Sequence, residues 1–482
     1  MIIAYLSRYF YRQKARFFLT PLSYLPVKKS PEVNKNGGAS SRGTSNSTCG
    51  LIFSARGRMI RALPIVKGDI GRSSGVFRAR WPGCSITWCW PPTALFILLA
   101  AADQVGIDPL ELSERTPSCD GRKYSIEVVL HGNCVFMNKA VKVIRFDKTG
   151  GADVLKIEEV QLSRLRANEV LVRVQAVTVS RPDLLWREGS YFEEPQLPAQ
   201  IGYDAAGVVE SVGPEVKTLK VGDRVSTLPA TSLLDYTAHA ESIIYPETAL
   251  LIYPQNMTPV QAAAVNTGLF TAYFALLELA SLRRDQHVVI TAASSSMGIA
   301  AIQIAKAIGA KSIAVTRSEA KEEALLAVGA DRVIIAGRED VQEAILDLTE
   351  GLGAEVIYDA VAGPGLEELV WATKRSGHII VYGHLGAMER GTLLPLGACF
   401  LRTINIHASF RVFDFTGHPR LGLQAKSEAL DRAKKFISDG LASELFSAKI
   451  DRVFFGLDEY AAAHRYLEAN NQIGKIAVAL SN

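Results

Sequence analysis

The stretch HVVITAASSSMGIAAIQIAKAIGAKSIAVTRSEAK, residues His287–Lys321, decides the fold of this chain. His287–Thr291 is a short apolar, β-branched run typical of a strand, and isoleucines recur among alanines at helical spacing from Gly298 to Gly309. Ile313–Thr316 then predicts a second strand. A strand, helix and strand of this length predict a right-handed crossover between parallel strands, which is half of a nucleotide-binding fold.

The turn between the first strand and the helix has only part of the expected glycine pattern. A dinucleotide fold places G-x-G-x-x-G there, at positions 293, 295 and 298, and only Gly298 is present. Alanine and serine are small enough for a phosphate to approach the backbone, and serine adds donors. Serine is also a common helix cap, so the turn alone does not distinguish the two roles. The residues predicted to contact the pyrophosphate are Ala293, Ser294, Ser295, Ser296, Met297 and Gly298.

The residues after the second strand favour NADPH over NADH. An acidic residue about 20 positions beyond the last glycine holds the ribose 2′-hydroxyl of NAD, whereas an arginine suits the 2′-phosphate of NADP. Thr316 and Arg317 end the strand here, with Lys321 one turn further on. Glu319 could serve the hydroxyl instead, but it opens the next helix rather than ending the strand. We therefore predict that Thr316, Arg317 and Lys321 bind the NADPH phosphate.

Charge and cysteine content divide the chain into two parts. Its 482 residues are enough for roughly two to three domains, and 48% hydrophobic with 21% charged residues is ordinary for a globular protein. Residues 1–136 contain 18 Lys and Arg against 8 Asp and Glu, whereas residues 137–482 contain 35 against 41. Five of the six cysteines precede Met137, so the second part needs no oxidising compartment.

Residues 1–136 are predicted to be a largely disordered, basic extension. The first 31 residues contain no acid and mix Arg and Lys with aromatics, a faint likeness to an organelle transit peptide. Upstream sequence from a gene model that starts too early would look the same, with Met137 as the natural start. Pro92–Ala102 is too short to cross a bilayer, and Cys84 and Cys89 lack a partner pair at zinc-finger spacing. We expect a cytoplasmic protein, with mitochondrial targeting as the alternative.

The rest of the chain predicts an all-β region followed by an α/β region. Glu169–Val179 alternates apolar and polar residues, and Gly202–Val225 contains glycine-punctuated strands typical of a small twisted barrel. After Lys321, strands and helices alternate, with a strand at Arg332–Ile335 and a helix at Val341–Leu348, up to a sixth strand near Thr403–His407. This order predicts the α/β class with a doubly wound parallel sheet, the Rossmann arrangement.

Several motifs together resemble the medium-chain dehydrogenase/reductase superfamily, and within it the zinc-independent quinone oxidoreductase branch. The resemblance covers Met137 to the C-terminus. The motifs are Gly202-Tyr203-Asp204-Ala205-Ala206-Gly207-Val208-Val209, Gly222-Asp223-Arg224-Val225, Thr271-Ala272-Tyr273, Ala293-Ser294-Ser295-Ser296-Met297-Gly298, Tyr358-Asp359-Ala360-Val361-Ala362-Gly363 and His464-Arg465-Tyr466-Leu467-Glu468 followed by Gly474-Lys475-Ile476.

The resemblance implies a GroES-like catalytic domain over residues 137–265, a Rossmann domain over 266–408, and a return to the catalytic domain over 409–482. It adds Thr271, Gly383 and Lys475 to the predicted cofactor contacts. Ser180 stands in the place of the family's cysteine zinc ligand and Tyr203 in that of its histidine, so no metal is expected. The catalytic candidates are Tyr191, Ser180, Asp183 and Tyr203, although Tyr191 could be a barrel tyrosine and Asp183 could only brace its loop.

The leading hypothesis is an NADPH-dependent oxidoreductase that reduces a quinone or an α,β-unsaturated carbonyl, with hydrogen-bond donors replacing the metal. One alternative is an enoyl-thioester reductase. Another is a non-catalytic NADPH-binding protein with a structural or regulatory role. We expect a small-molecule substrate, no nucleic acid and no membrane as partners, and by resemblance a homodimer.

Overall fold

The computed structural model describes residues 139–386 and 394–480, together with five short strands between residues 54 and 128. The strands are Ser54–Ala55, Arg58–Met59, Gly75–Trp81, Cys84–Trp90 and Ser125–Val128. The last three form one sheet with Gly75–Trp81 in the middle. Apart from these strands, the predicted extension over residues 1–136 lies outside the described residues. The chain divides after Gly132, and everything below concerns the unit Asn133–Asn482.

A mostly antiparallel region comes first in this unit, as the alternating pattern predicts. Its elements are β1 Ala140–Phe146, β2 Lys156–Gln161, β3 Glu169–Val179, α1 Arg181–Glu188, β4 Ala199–Gln200, β5 Asp204–Val212, β6 Arg224–Thr227, β7 Ser242–Pro246 and β8 Leu250–Ile252. In the main sheet β8, β6, β5 and β3 are adjacent in that order, and β7 also pairs with β3. In a smaller sheet β1 lies between β2 and β4. Two strands from the C-terminal end of the chain, Lys475–Ala479 and Ile450–Phe455, continue the main sheet beyond β3 and are parallel to each other.

The pair of strands β3 and β5 shows why the glycine motif is needed. Gly207 lies in β5 opposite Val174 of β3, at a shift in register. A Cβ atom at Gly207 would stand 2.0 Å from the carbonyl oxygen of Arg173, so only glycine allows the two backbones to approach this closely. The alternation predicted for β3 holds in its centre, where Val172, Val174 and Ala176 are buried and the residues between them are half-buried.

The second region is a parallel sheet with its helices. Its elements are α2 Pro259–Tyr273, β9 His287–Ile290, α3 Ser296–Ile308, β10 Lys311–Thr316, α4 Glu322–Val328, β11 Arg332–Ile335, α5 Val341–Leu348, β12 Ala354–Asp359, α6 Leu366–Trp371, β13 Thr373–Val381, α7 Leu396–Arg402 and β14 Asn405–His407. The six strands are adjacent in the order β11, β10, β9, β12, β13, β14, and all neighbours are parallel. This is the doubly wound order, so the predicted Rossmann fold is confirmed.

Helix α2 begins the longest apolar helical stretch of the described residues. With the π-helical turn Phe274–Leu279 that follows it, Pro259–Leu279 is long and apolar enough to cross a membrane by length and composition alone. However, 78% of its most apolar window is buried within the protein, as in the core helix of a globular domain. It packs closely on α3, because a Cβ at Gly268 would lie 3.2 Å from the Cβ of Ala300.

The chain finally returns to the first sheet. The last elements are α8 Phe413–Thr416, α9 Ser427–Ala442, β15 Ile450–Phe455, α10 Tyr460–Glu468 and β16 Lys475–Ala479. Strand β16 pairs antiparallel with β3, from Ile476 opposite Val179 to Ala479 opposite Ala176. The first sheet is therefore completed by residues that follow the whole parallel sheet in sequence.

Candidate functional site

The turn between β9 and α3 has the geometry of a phosphate-binding turn. Ser295 caps α3 by accepting a hydrogen bond from Gly298 N at 3.1 Å, which leaves the N–H groups of Ser296 and Met297 without an acceptor inside the helix. A Cβ at Gly298 would lie 2.5 Å from the carbonyl oxygen of Ala293, so the helix starts directly against the turn. The helix N-terminus therefore fits the pyrophosphate of a dinucleotide.

The backbone angles explain why two of the expected glycines are dispensable. The turn has one residue with positive φ, Ala292 at 46°, and it precedes the glycine positions of the motif. Ser295 is extended, with φ of −71° and ψ of 159°, which a serine adopts without strain. The third glycine position needs its glycine, because a Cβ there would collide with the carbonyl oxygen of Ala293.

Two cations lie at the end of β10, and of these two only Lys321 has a hydrogen-bond partner among the described residues. Thr316 is buried and its hydroxyl accepts a hydrogen bond from Ser318 N at 3.3 Å, whereas Arg317 is exposed. Lys321 Nζ donates to the carbonyl oxygen of Gln472 at 3.0 Å. Burial lowers the pKa of Lys321, which the charge of Arg317 lowers further. Arg317 is thus the cation that an incoming phosphate can reach.

The C-terminal segment contacts the phosphate turn directly. Gly474 N donates to the carbonyl oxygen of Ser294 at 2.8 Å, and Ser295 and Gly474 form an isolated parallel bridge. Gly474 has a φ of 92°, and a Cβ there would lie 2.1 Å from the carbonyl oxygen of Lys449. The turn is therefore held by the same segment that completes the first sheet.

A buried ion pair lies at the start of that last strand. Lys475 Nζ is 2.7 Å from Asp204 Oδ2, with side chains 6% and 3% exposed, and it also donates to Ser180 Oγ. Asp204 accepts further hydrogen bonds from Ser180, Thr178 and Thr267. Burial alone would raise the pKa of Asp204, but the charge and hydrogen bond of Lys475 outweigh it and the pKa is lowered. Ser180 and Lys475 therefore belong to an internal network that joins β3, β5, α2 and β16.

Asp183 has a structural position and an unusual protonation state. Its Oδ2 accepts a hydrogen bond from Ser180 N at 2.7 Å, which caps α1, as the bracing alternative predicts. The side chain is buried, and its Oδ1 has no hydrogen-bond partner among the described residues. Burial, and then the charge of Asp204, raise the pKa of Asp183 to about 8. The carboxyl is therefore mostly protonated at neutral pH.

Tyr191 lies in a cluster of aromatic rings that we call the aromatic wall, formed by Tyr191, Phe192, Tyr203 and Phe413. Tyr191 donates its hydroxyl to that of Tyr203 at 3.3 Å, and its ring centroid is 4.2 Å from that of Phe192. Phe413 closes the cluster, 5.9 Å from Phe192 and 6.0 Å from Tyr203. Phe192 is 42% exposed, so one side of the wall faces solvent. Burial raises the pKa of Tyr191, which keeps its phenol protonated.

The aromatic wall joins the two regions of the fold. Tyr191 and Tyr203 belong to the first region, whereas Phe413 follows the last strand of the parallel sheet. The chain leaves the sheet at its carboxyl edge, where Phe410 N donates to the carbonyl oxygen of Val381 at 2.9 Å. In doubly wound sheets ligands bind outside the carboxyl ends of the strands, so the wall lies on the side expected for a substrate.

Two further predicted cofactor contacts have different surroundings. Thr271 is buried in α2 and its hydroxyl donates to the carbonyl oxygen of Thr267 in the same helix, which leaves it no free donor. Gly383 follows β13, and a Cβ there would lie 2.8 Å from the carbonyl oxygen of Ala360, so the backbone passes close to the end of β12. Among the described residues no three His, Cys, Asp or Glu side chains are grouped to hold a metal ion.

Sequence reasoning missed Asp204 and Thr267 as parts of the site, and also Arg411 and Phe413. Asp204 stood inside a motif that was already singled out, and an acid within an apolar strand signals a buried cationic partner. Phe413 begins the four-residue helix α8 and Arg411 lies just before it, and an element this short has no periodicity that could identify them.

Comparisons with known proteins agree with this geometry. Residues 166–274 match the alcohol dehydrogenase GroES-like domain, and residues 296–419 match the zinc-binding dehydrogenase family. Quinone oxidoreductase 1 of Escherichia coli (strain K12) is 33% identical over 253 residues, which are 52% of this chain and 76% of that protein. Quinone oxidoreductase-like protein 2 homolog of Nematostella vectensis is 28% identical over 342 residues, 70% and 89% of the two chains.

A solved structure of a quinone oxidoreductase from Pseudomonas syringae pv. Tomato DC3000 superposes with a TM-score of 0.62 at 27% identity, over 70% of this chain and 99% of that one. The parallel sheet, its phosphate turn and these relatives define an NAD(P)-dependent oxidoreductase that acts on small molecules. The chain belongs to the medium-chain dehydrogenase/reductase superfamily, in its quinone oxidoreductase-like branch.

Proposed function

We propose that this protein is an NADPH-dependent reductase of quinones or α,β-unsaturated carbonyls that works without zinc. The observation that carries the proposal is the Tyr191 hydroxyl, a protonated donor within an aromatic wall that is open on one side. Flat conjugated acceptors stack on such rings and need a donor at the oxygen where negative charge develops. The relatives from E. coli and P. syringae are quinone oxidoreductases, which supports the same substrate class.

The choice of NADPH rests on Arg317. Its side chain is exposed at the end of β10, and Lys321 keeps a second positive charge one turn away. Guanidinium groups bind phosphates through paired charge-assisted hydrogen bonds, so the 2′-phosphate is the natural partner of this arginine. Ser296 and Met297 would hold the pyrophosphate through the free N–H groups at the start of α3.

The chain's own residues then have distinct tasks. The bound nicotinamide supplies a hydride, as in all such reductases. Tyr191 donates a hydrogen bond to the acceptor's carbonyl oxygen and so stabilises the negative charge that develops there. Because the raised pKa keeps the Tyr191 proton in place, the phenol acts as a hydrogen-bond donor and the product takes its proton from solvent. In the structure the Tyr191 hydroxyl donates to that of Tyr203. When an acceptor binds, the Tyr191 hydroxyl turns to the acceptor's oxygen and the Tyr203 hydroxyl donates to Tyr191 instead.

The test is NADPH oxidation, followed by absorbance, with a panel of quinones and enones. We expect turnover with at least one panel member and a higher kcat/KM with NADPH than with NADH. Tyr191→Phe should lower kcat/KM about ten- to a hundredfold, the value of one hydrogen bond to a developing charge.

Tyr466→Phe is the matched control, because that hydroxyl bonds Asp451 away from the aromatic wall. An unchanged rate in Tyr191→Phe would reject the assigned role of Tyr191. NADPH binding without turnover of any panel member would favour the non-catalytic alternative.

A further inference from the structure

Arg411 adds a positive charge to the aromatic wall. It follows Phe410 at the carboxyl edge of the parallel sheet, and its guanidinium carbon lies 5.7 Å from the centroid of the Phe192 ring. The side chain is 38% exposed. Its charge also acts on Tyr191, whose pKa it lowers against the larger effect of burial. A molecule held on the wall near the Tyr191 hydroxyl would therefore lie within reach of this guanidinium.

The hydrogen-bonding capacity of Arg411 is largely unused. Its Nε atom is buried and has no partner among the described residues. The nearest carboxylate, Asp414, stands 3.7 Å from Nη2, which is too long for a hydrogen bond, and accepts one instead from Arg411 N at 3.1 Å. By contrast, Arg420 makes a bidentate pair with Asp235 at 2.6 and 2.7 Å. Stacking on Phe192 therefore orients the Arg411 guanidinium, while no side-chain partner among the described residues uses its hydrogen-bond donors.

We propose that Arg411 selects acceptors that carry an anionic substituent, a carboxylate or sulfonate, next to the conjugated carbonyl. This inference rests on the proposed reductase function and names its substrate class. A planar guanidinium pairs such oxyanions in fork geometry while its face remains on an aromatic ring. Asp414 neutralises part of the charge from 3.7 Å but leaves the donors of Arg411 free for a ligand.

The rival explanation is that Arg411 only covers the Phe192 ring. In that case its removal would affect all acceptors alike, because every flat acceptor meets the same ring. A charged and a neutral acceptor with the same ring system distinguish the two explanations. Suitable probes are 1,2-naphthoquinone-4-sulfonate and 1,2-naphthoquinone.

The experiment compares both probes on wild type, Arg411→Gln and Arg411→Lys. The quantity is the ratio of kcat/KM for the sulfonate to that for the neutral quinone, since intrinsic reactivity cancels between variants. We expect Arg411→Gln to lower this ratio about ten- to a hundredfold, as for loss of a charge-assisted hydrogen bond, and Arg411→Lys to lower it less. The wild-type ratio should also fall with added salt.

Arg452→Gln is the matched control. Arg452 also stacks on aromatic rings, 5.0 Å from the Phe454 centroid, and its loss changes the net charge equally. The ratio should stay at the wild-type value in this variant. A ratio that Arg411→Gln leaves unchanged, or that Arg452→Gln lowers as much, would overturn the inference.

Calorimetric titration separates this inference from the proposed function. If wild type reduces the neutral quinone and the sulfonate with the same kcat/KM, the proposed function stands and the inference is rejected. If no quinone or enone of the panel is turned over, the proposed function fails, and the dissociation constants of the two probes, measured by calorimetric titration, decide the inference. Tighter binding of the sulfonate that disappears in Arg411→Gln would support it, and equal binding would reject it.

Discussion

Replacing Lys475 by glutamine should destabilise the whole second unit of the chain. Asp204 is 3% exposed and its carboxylate depends on Lys475 for the opposite charge. Thr178, Ser180 and Thr267 donate hydrogen bonds to it, but none carries a charge. Removing one partner of a buried ion pair costs about 3–5 kcal/mol, because the remaining charge stays buried without compensation. We expect the free energy of unfolding to fall by that amount.

The chain contains a matched exposed pair. Lys435 and Asp439 are 2.8 Å apart, almost the distance of the buried pair, but their side chains are 79% and 66% exposed. Exposed pairs one helical turn apart contribute only about 0.3–0.5 kcal/mol. Lys435→Gln should therefore have an effect near the detection limit, although the chemistry of the substitution is the same.

Urea titrations followed by circular dichroism measure both variants against wild type at pH 7. The double variant Lys475→Gln with Asp204→Asn should recover part of the loss, since it removes the uncompensated charge. The folded-state pKa of Asp204 is lowered, so the contribution of the pair is present above the ordinary pKa of 3.8 and is lost only as the pH falls through the folded value. In Lys475→Gln, burial is no longer opposed by the lysine and should raise the pKa of Asp204 above 3.8, so the difference between wild type and the variant should be smaller at pH 5 than at pH 7. Equal losses in Lys475→Gln and Lys435→Gln would refute the reasoning.

Three further predictions follow from the site. Arg317→Glu should weaken NADPH binding about ten- to a hundredfold and leave NADH binding equal or tighter, by fluorescence titration; a parallel fall would make Arg317 a surface charge. Asp183→Asn should stabilise the protein, and the gain in the free energy of unfolding should grow as the pH rises from about 4 to 8. The folded-state pKa of Asp183, about 8, lies above the ordinary 3.8, so its carboxyl ionises at a lower pH in the unfolded chain than in the folded protein. A difference in urea midpoints that does not change with pH would contradict this. Gly298→Ala should reduce cofactor affinity and stability, because the new Cβ would lie 2.5 Å from the carbonyl oxygen of Ala293. Gly365→Ala is the control and should reduce neither, because no atom lies within 4 Å of a Cβ there. Equal losses in the two variants would show that the clash is relieved.

Elements with a strong local pattern could be predicted from the sequence to within a few residues. The strand Arg332–Ile335 and the helix Val341–Leu348 have the predicted bounds, because an apolar run and a helical period each depend only on neighbouring residues. The phosphate turn was also identified from its position between a strand and a helix. The structure adds the reason why Ser295 can replace a glycine, namely that its backbone is extended.

The contents of the site could be predicted only in part. Asp204 and Lys475 are 271 positions apart, and no local pattern links a buried acid to its cation across that distance. Ser180 and Lys475 were expected to contact substrate and cofactor, but their polar atoms are used in the internal network. Phe413 and Arg411 reach the aromatic wall at the start of the four-residue helix α8, whose position depends on tertiary packing.

The late position of β16 has a consequence for synthesis on the ribosome. The parallel sheet has all six strands once His407 has emerged, so it can fold while the rest of the chain is still being made. Strand β3, by contrast, has no neighbour along its Ala176–Val179 edge until Lys475–Ala479 has been synthesised. Until then the Asp204 carboxylate also lacks its partner Lys475. An unpaired, β-branched edge is prone to pair with other chains. A nascent or truncated chain that stops before β16 is therefore the form of this protein most exposed to aggregation and chaperone capture.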